Sequence, residues 1–299
     1  MKSKKSTLFV SDGCAIRQNS LLLALGFNTD PEQDSSRVAF QLGGEWKHFD
    51  VKFDSVISVA VCGSLGYALA SKGSVFELPL GEGVTREIFN SQVRSWVIES
   101  AVEFGELTRI RSIAGTPYCC GQSGQIYYLS NGEWTRMNLG LNADEFDLED
   151  IDGTTPHNIY TVGCDGVMLH YDGKKWTKID LPTNLNISNI RCEPDGTCYA
   201  CGDDGLLLRG HDEVWEVVGD PVSDKNYWGL DIFNGTPFLS HGKGIDHLQS
   251  NKIVPITLPS NGKRTFYRLH SNSDQLYSFG TDHILKFDNG VWSSLDIPN

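Results

Sequence analysis

Arg109, Arg111 and Arg191, with Tyr227 and Tyr267, are the residue types that cleavage of an acidic glycoside would need. Arginines hold the sugar carboxylate, a tyrosine with a glutamate partner attacks as nucleophile, and a further acid protonates the leaving group. No Arg-Ile-Pro segment accompanies them, and arginines on inner strands of a sheet array more often line a wet channel or pair with neighbouring acids. Cys198-Tyr-Ala-Cys201 has zinc-knuckle spacing, but residues three apart on a strand point to opposite faces, so the two thiolates cannot grip one ion. Cys192 and Cys198 flank Glu-Pro-Asp-Gly-Thr, within cross-strand reach for a hairpin disulfide if oxidised; core or idle thiols are the expected state. The histidines are scattered without His-Glu-x-x-His, and neither a Walker loop nor Gly-x-Ser-x-Gly occurs. The expectation is a non-catalytic chain with no metal and no cofactor.

Recognition is the other chemistry on offer. The run Asp144-Glu-Phe-Asp-Leu-Glu-Asp-Ile-Asp152 is the densest acidic stretch and supplies Asp144, Glu145, Asp147, Glu149, Asp150 and Asp152. Turns add Asp165, Asp203, Asp204 and Asp282, and connecting segments add the aromatics Tyr227, Trp228 and Tyr267. An acidic rim with aromatic anchors suits one basic protein partner: opposite charge speeds encounter, and buried aromatics supply affinity. The competing reading is that the acids are merely solvated and the aromatics pack against neighbouring elements.

A repeat must position these residues. Tyr118-Cys-Cys-Gly-Gln-Ser-Gly124, Tyr160-Thr-Val-Gly-Cys-Asp-Gly166 and Tyr199-Ala-Cys-Gly-Asp-Asp-Gly205 are each an apolar segment ending in Gly-x-x-Gly. In all three the second glycine stands 10 residues before a tryptophan: Trp134, Trp176 and Trp215. Degenerate copies run from Phe238 through Gly244 to Val254, and from Tyr277 through Gly280 to Trp292. Two earlier units are inferred around Ala68–Gly73 and Leu21–Gly26, the latter with a polar insertion at Asn28–Ser36 and ending at Trp46. About 40 residues make four short strands with tight turns, a sheet that cannot bury both faces alone; radial packing buries them. The fold class is therefore all-β: a single seven-bladed propeller of four antiparallel strands per blade. The units fall at approximately 6–52, 53–91, 92–142, 143–183, 184–221, 222–260 and 261–299. Ser91–Glu106 exceeds a normal connection and reads as an extra strand or short helix around Val93–Ile98. The repeated tryptophan is expected to pack between blades, as are Cys120 and Cys201, whose slot Val162 fills in the blade between.

The pattern apolar–Gly-x-x-Gly–strand–Tyr-Asp-Gly-x-x-Trp, best seen in His170-Tyr-Asp-Gly-Lys-Lys-Trp176, resembles the bacterial WD/YVTN/BNR-like repeat propellers over nearly the whole chain. The resemblance implies the fold and leaves function open, since this architecture hosts lectins, sialidases, assembly factors and inert scaffolds. The sequence departs from the sialidase Asp box, because Asp172 adjoins Gly173 and stands only four residues before Trp176.

Composition fits that reading. Of 299 residues 31 are glycine and only 3 methionine, the signature of many turns and few helices. There are 25 basic and 38 acidic residues, a net charge of −13. Such a surface repels nucleic acid and anionic membrane and attracts a cationic partner. The basic Met1–Lys5 stretch is followed by no apolar run of leader length, and the longest apolar segments are strand-sized. A cytoplasmic protein with reduced thiols, monomeric on its own, is expected. Its function is expected to be protein binding, in one specific form an immunity or antitoxin-type protein capping a basic toxin. A carbohydrate-active propeller (lectin or sialidase-like glycosidase) and an assembly factor are the alternatives.

Overall fold

A computed structural model describes residues 8–27, 35–42, 44–219, 223–259 and 264–298. Most of the Asn28–Ser36 insertion lies outside the described residues. The chain forms seven sheets, each of four antiparallel strands taken in sequence order. The inner strands of blades 1 to 7 are Leu8–Arg17, Val56–Cys62, Leu107–Ile113, Leu148–Thr155, Ile187–Cys192, Tyr227–Phe233 and Arg268–Ser271. Each packs against the next and the seventh against the first, so the ring closes with every blade built from one contiguous segment.

Local chemistry explains the hairpins. Asn131-Gly132 and Asn289-Gly290 both take left-handed backbone, φ 51° and 83°, then 49° and 81°, the conformation a two-residue hairpin turn requires. The turns between second and third strands place Ser123, Asp165 and Asp204 at φ 50°, 54° and 53°; aspartate tolerates that region better than most side chains. Tryptophans of the outer strands enter the apolar clusters between blades: Trp176 and Trp292 are buried, and Trp46, Trp134 and Trp215 pack at cluster edges. Cys120, Val162 and Cys201 are fully buried in three successive inter-blade clusters.

The second blade differs from the sequence reading. Its outer strand is Arg94–Val97, paired with Ser74–Pro79. A short helix at Arg86–Gln92, capped by the Thr85 hydroxyl, occupies the preceding hairpin, and a helical turn at Ala101–Phe104 follows. The unit therefore runs past residue 91, because the helix replaces a tight turn and pushes the fourth strand downstream.

One feature organises the channel. Six inner strands carry a register irregularity at the same depth, for example between Val10 and Asp12, Leu148 and Asp150, and Tyr227 and Gly229. Such bulges re-aim the residues after them. Before the bulge stands a buried apolar layer, Val10, Val56, Leu107, Leu148, Ile187 and Tyr227, which Phe266 completes ahead of the unbulged inner strand of blade 7. After it comes a polar ring at one equivalent position: Asp12, Ser58, Arg109, Asp150, Asn189, Gly229 and Arg268. Two residues further on, Arg111, Asp152, Arg191, Asp231 and His270 line the channel mouth.

Candidate functional site

In an up-and-down blade, the turns between second and third strands share one rim with the connections that enter each inner strand. That rim collects most of the acidic candidates. Asp144 and Glu145 lie in a short 3-10 turn (Ala143–Glu145), and Asp147 precedes the inner strand of blade 4. Asp165, Asp203 and Asp204 occupy the turns of blades 4 and 5, and Asp282 that of blade 7. Asp144, Glu145, Asp147, Asp165, Asp204 and Asp282 are exposed, whereas Glu149 and Asp203 are half-buried. Cys164 reports their grouping: burial first, then the negative charges of Glu149, Asp147, Asp165 and Asp203, push its thiol pKa up.

Hydrogen bonds stitch each turn to the next connection. Ser123 N–H donates to Asp147 Oδ1 at 3.3 Å, Asn186 Nδ2 to Asp203 Oδ2 at 3.0 Å, and Asp165 N–H to Asn186 Oδ1 at 2.9 Å. The acids of blades 4 and 5 therefore sit on a fixed frame. On blades 6 and 7 Trp228 and Tyr267 stack with ring centroids 5.1 Å apart. Beside Trp228 opens a cleft of about 300 Å³ that also includes Lys225, His241 and Lys243.

Asp150, Asp152 and Tyr227, expected on the rim, lie elsewhere. Asp150 is completely buried. Arg111 grips it with two hydrogen bonds of 3.0 and 2.9 Å, and Arg109 and Arg191 approach to 3.4 and 3.5 Å. Ile151 N–H and Ile190 N–H donate to it as well. Burial alone would raise its pKa, but Arg111, Arg109 and Arg191 hold it well below the usual carboxylate range. The three arginines that could have bound a substrate carboxylate are thus turned onto an internal one. Asp152, two residues on, is half-buried at the opposite mouth of the channel, accepting from Gly153 N–H and Cys192 N–H. The bulge after Leu148 is the reason: it turns Asp150 and Asp152 into the channel, away from the rim. Tyr227 belongs to the buried apolar layer, and its hydroxyl donates to Asp246 at 2.7 Å. Trp228, at the bulge, is the half-buried aromatic.

Asp246 was not singled out from sequence. Lys225 Nζ reaches it at 2.6 Å and His241 Nε2 stands 3.5 Å away. Against burial, His241, Lys225 and Tyr227 lower its pKa to about 2. Aligning the degenerate sixth unit with its neighbours was the available signal, since His241 replaces a glycine there. Six of the eight cysteines are buried, Cys164 and Cys192 half-buried; Cys192 and Cys198 face each other across the hairpin as free thiols, and Cys198 and Cys201 enter clusters on opposite faces. Among the described residues no three His, Cys, Asp or Glu side chains gather to hold a metal ion.

No family model matches the chain. Over 198 residues it is 29% identical to Immune protein Tsi7 of Pseudomonas aeruginosa, a match covering 64% of this chain and 65% of that protein. The chain thus spans less than two thirds of the length of this curated relative. Among solved structures it is similar to the WD40 β-propeller domain of Doa1, with a TM-score of 0.70 and 13% identity over 97% of this chain and 94% of the other. It is also similar to YCF48 bound to D1 peptide, at TM-score 0.69 and 14% identity over 94% and 91%. Virginiamycin B lyase from Staphylococcus aureus aligns at TM-score 0.67 and 12% identity over 80% and 83%. At these identities the structural likeness is one of fold: the chain is a seven-bladed β-propeller.

Proposed function

We propose that this propeller is a non-catalytic immunity protein that neutralises a basic protein toxin by binding it on the acidic rim. The observation that carries the reading is the similarity to Immune protein Tsi7. The rim gives it a physical form. Asp147, Glu149, Asp165 and Asp203 lie close enough to act together on Cys164, so they present one field to a cation, and the Trp228–Tyr267 stack on the same rim offers a rigid apolar anchor. Charge would set the association rate and the anchor the lifetime. Cytoplasmic localisation belongs to the same proposal.

The experiment is kinetic. The triple variant Asp147→Lys, Asp165→Lys, Asp203→Lys is compared with wild type against the products of the genes flanking its own, screened for a basic toxin. These side chains make few internal contacts, so the fold should persist. Association should slow by about ten-fold or more at low salt and lose most of its salt dependence, with dissociation changed less. An unchanged association rate at low salt rejects the acidic rim. Failure of wild type to bind or inhibit the toxin rejects the immunity reading.

A further inference from the structure

Blades 1, 2 and 4 of the polar ring share one contact. A side chain on one blade accepts a hydrogen bond from the inner-strand N–H of the next. Val59 N–H donates to Asp12 at 3.0 Å, Ile110 N–H to Ser58 at 3.2 Å and Ile190 N–H to Asp150 at 3.1 Å. One layer down the same contact joins blade 7 to blade 1, where Ala15 N–H donates to His270 Nδ1 at 3.2 Å. Four blades depart from it. Arg109 of blade 3 has no acceptor, and Ile151 N–H turns to its own Asp150. Asn189 Oδ1 of blade 5 has no partner among the described residues, and blades 6 and 7 supply no acceptor at all. The ring residue of blade 6 is Gly229, without a side chain, and that of blade 7 is Arg268, which has no acceptor. The ring therefore offers nothing to the equivalent N–H groups of Leu269 and Gly13.

Arg268 is itself unbalanced. The guanidiniums of Arg109, Arg111 and Arg191 each lie within 4 Å of a carboxylate, whereas Arg268 has no carboxylate partner among the described residues. Its Nη1 donates to Trp228 O at 2.6 Å, and its buried Nε has no hydrogen-bond partner there. The buried Ser240 hydroxyl, against Gly229, also lacks one. The half-buried Arg268 guanidinium is charged at neutral pH, so with no carboxylate beside it, it needs a counter-charge. Burial, and then the like charge of Arg109, pull its pKa down to about 9.

We propose that the sector of the channel between blades 6, 7 and 1 binds a small monovalent anion, replacing the acceptor that Gly229 and Arg268 fail to supply. Arg268 provides the charge, and the N–H groups of Leu269 and Gly13, equivalent to the Val59 and Ile190 N–H groups that donate to ring carboxylates, would donate to the anion. The site takes chloride or a carboxylate group of acetate size. It is separate from the rim and stands whether or not a toxin binds there.

The test is thermal melting of the full chain at constant ionic strength, with sodium chloride replacing sodium isethionate, whose bulky sulfonate exceeds the proposed size limit. Acetate is titrated in the same way to compare the two ligand sources. Chloride or acetate at ten times its dissociation constant should favour the folded state about eleven-fold, a rise of about 2 °C for a chain of this length. Arg268→Gln, which keeps the length of the stem and removes the charge, should abolish the rise. If the variant does not fold, anomalous scattering from bromide in wild-type crystals decides by position. A flat wild-type response to both anions, a response retained in Arg268→Gln, or bromide bound only elsewhere would overturn the proposal.

Discussion

His270 should make the ring acid-sensitive above the pH at which carboxylates protonate. Its Nδ1 accepts from Ala15 N–H, so the folded state requires the neutral ring with its proton on Nε2. Burial is the main force holding its pKa down at about 4; Arg191 and Arg111 add to it, and Asp231 and Asp12 oppose it. In the unfolded chain an imidazole titrates near 6.5. Between those two values the unfolded state binds a proton that the folded state excludes, so stability falls as pH falls. This contribution is complete near pH 7, is lost through the window from 6.5 to 4, and has no further effect below it. From pH 7 to 5 the loss is about 2 kcal/mol, equivalent to about 3 °C in melting temperature at this chain length. His170 and His283, also lowered chiefly by burial, shift stability in the same direction, so the informative quantity is a difference. His270→Gln keeps an acceptor for Ala15 N–H and cannot charge. Differential scanning calorimetry at pH 7 and 5 should show a drop larger by about 3 °C in wild type than in the variant. Equal drops would refute the assignment of this proton to His270.

Three further outcomes test the division between channel and rim. Asp150→Asn should destabilise by about 3–5 kcal/mol, since three guanidiniums lose their shared counter-charge, while Asp147→Asn on the rim should fall within about 0.5 kcal/mol of wild type; urea melts of the pair check this. Trp228→Ala should raise the dissociation rate of a bound partner about 30-fold, a hot-spot loss of about 2 kcal/mol, leaving the salt dependence of association intact in surface-binding kinetics. Gly202→Ala should fail to fold or melt far below wild type, because its Cβ would fall 1.9 Å from Asn186 O and that backbone belongs to the connection stitched over the turn.

The architecture was legible because its signal is periodic: Gly-x-x-Gly and the tryptophan ten residues on mark the turn and outer strand of each clear unit. The cysteine geometry followed from the same periodicity, which put Cys198 and Cys201 on opposite faces of one strand. Blade 2 was misread where a helix at Arg86–Gln92 took the place of a turn, an insertion that no repeat predicts. The site was half legible. Acids in turns, such as Asp165 and Asp204, were placed on the rim from their turn position alone. Asp150 was not, because its fate depends on a one-residue bulge after Leu148 that shifts every later side chain of the strand. A simple alternation through Asp144–Asp152 contains no trace of it. Comparing inner strands would have exposed it: Asp12, Arg109, Asp150 and Arg268 share one position in four blades, and alternating charges at one level of a closed ring point inward to each other.

That comparison also says where the net charge resides. The channel holds Asp12, Asp150, Asp152 and Asp231 against Arg109, Arg111, Arg191 and Arg268, equal numbers of each sign, so the whole excess of −13 lies outside it. Fixed internal pairs cannot steer a partner, because their fields cancel within a few ångströms and their carboxylates are already occupied. The acids of the rim are hydrogen-bonded mainly by backbone N–H and amide groups, which orient a carboxylate without neutralising it. The half-buried aromatic pair lies on the same surface. A protein drawn to this surface therefore meets long-range attraction from the exterior and supplies its own cations to satisfy it. The salt slope of its association should track the rim acids one by one, and substitutions in the channel should leave that slope unmoved even where they cost stability.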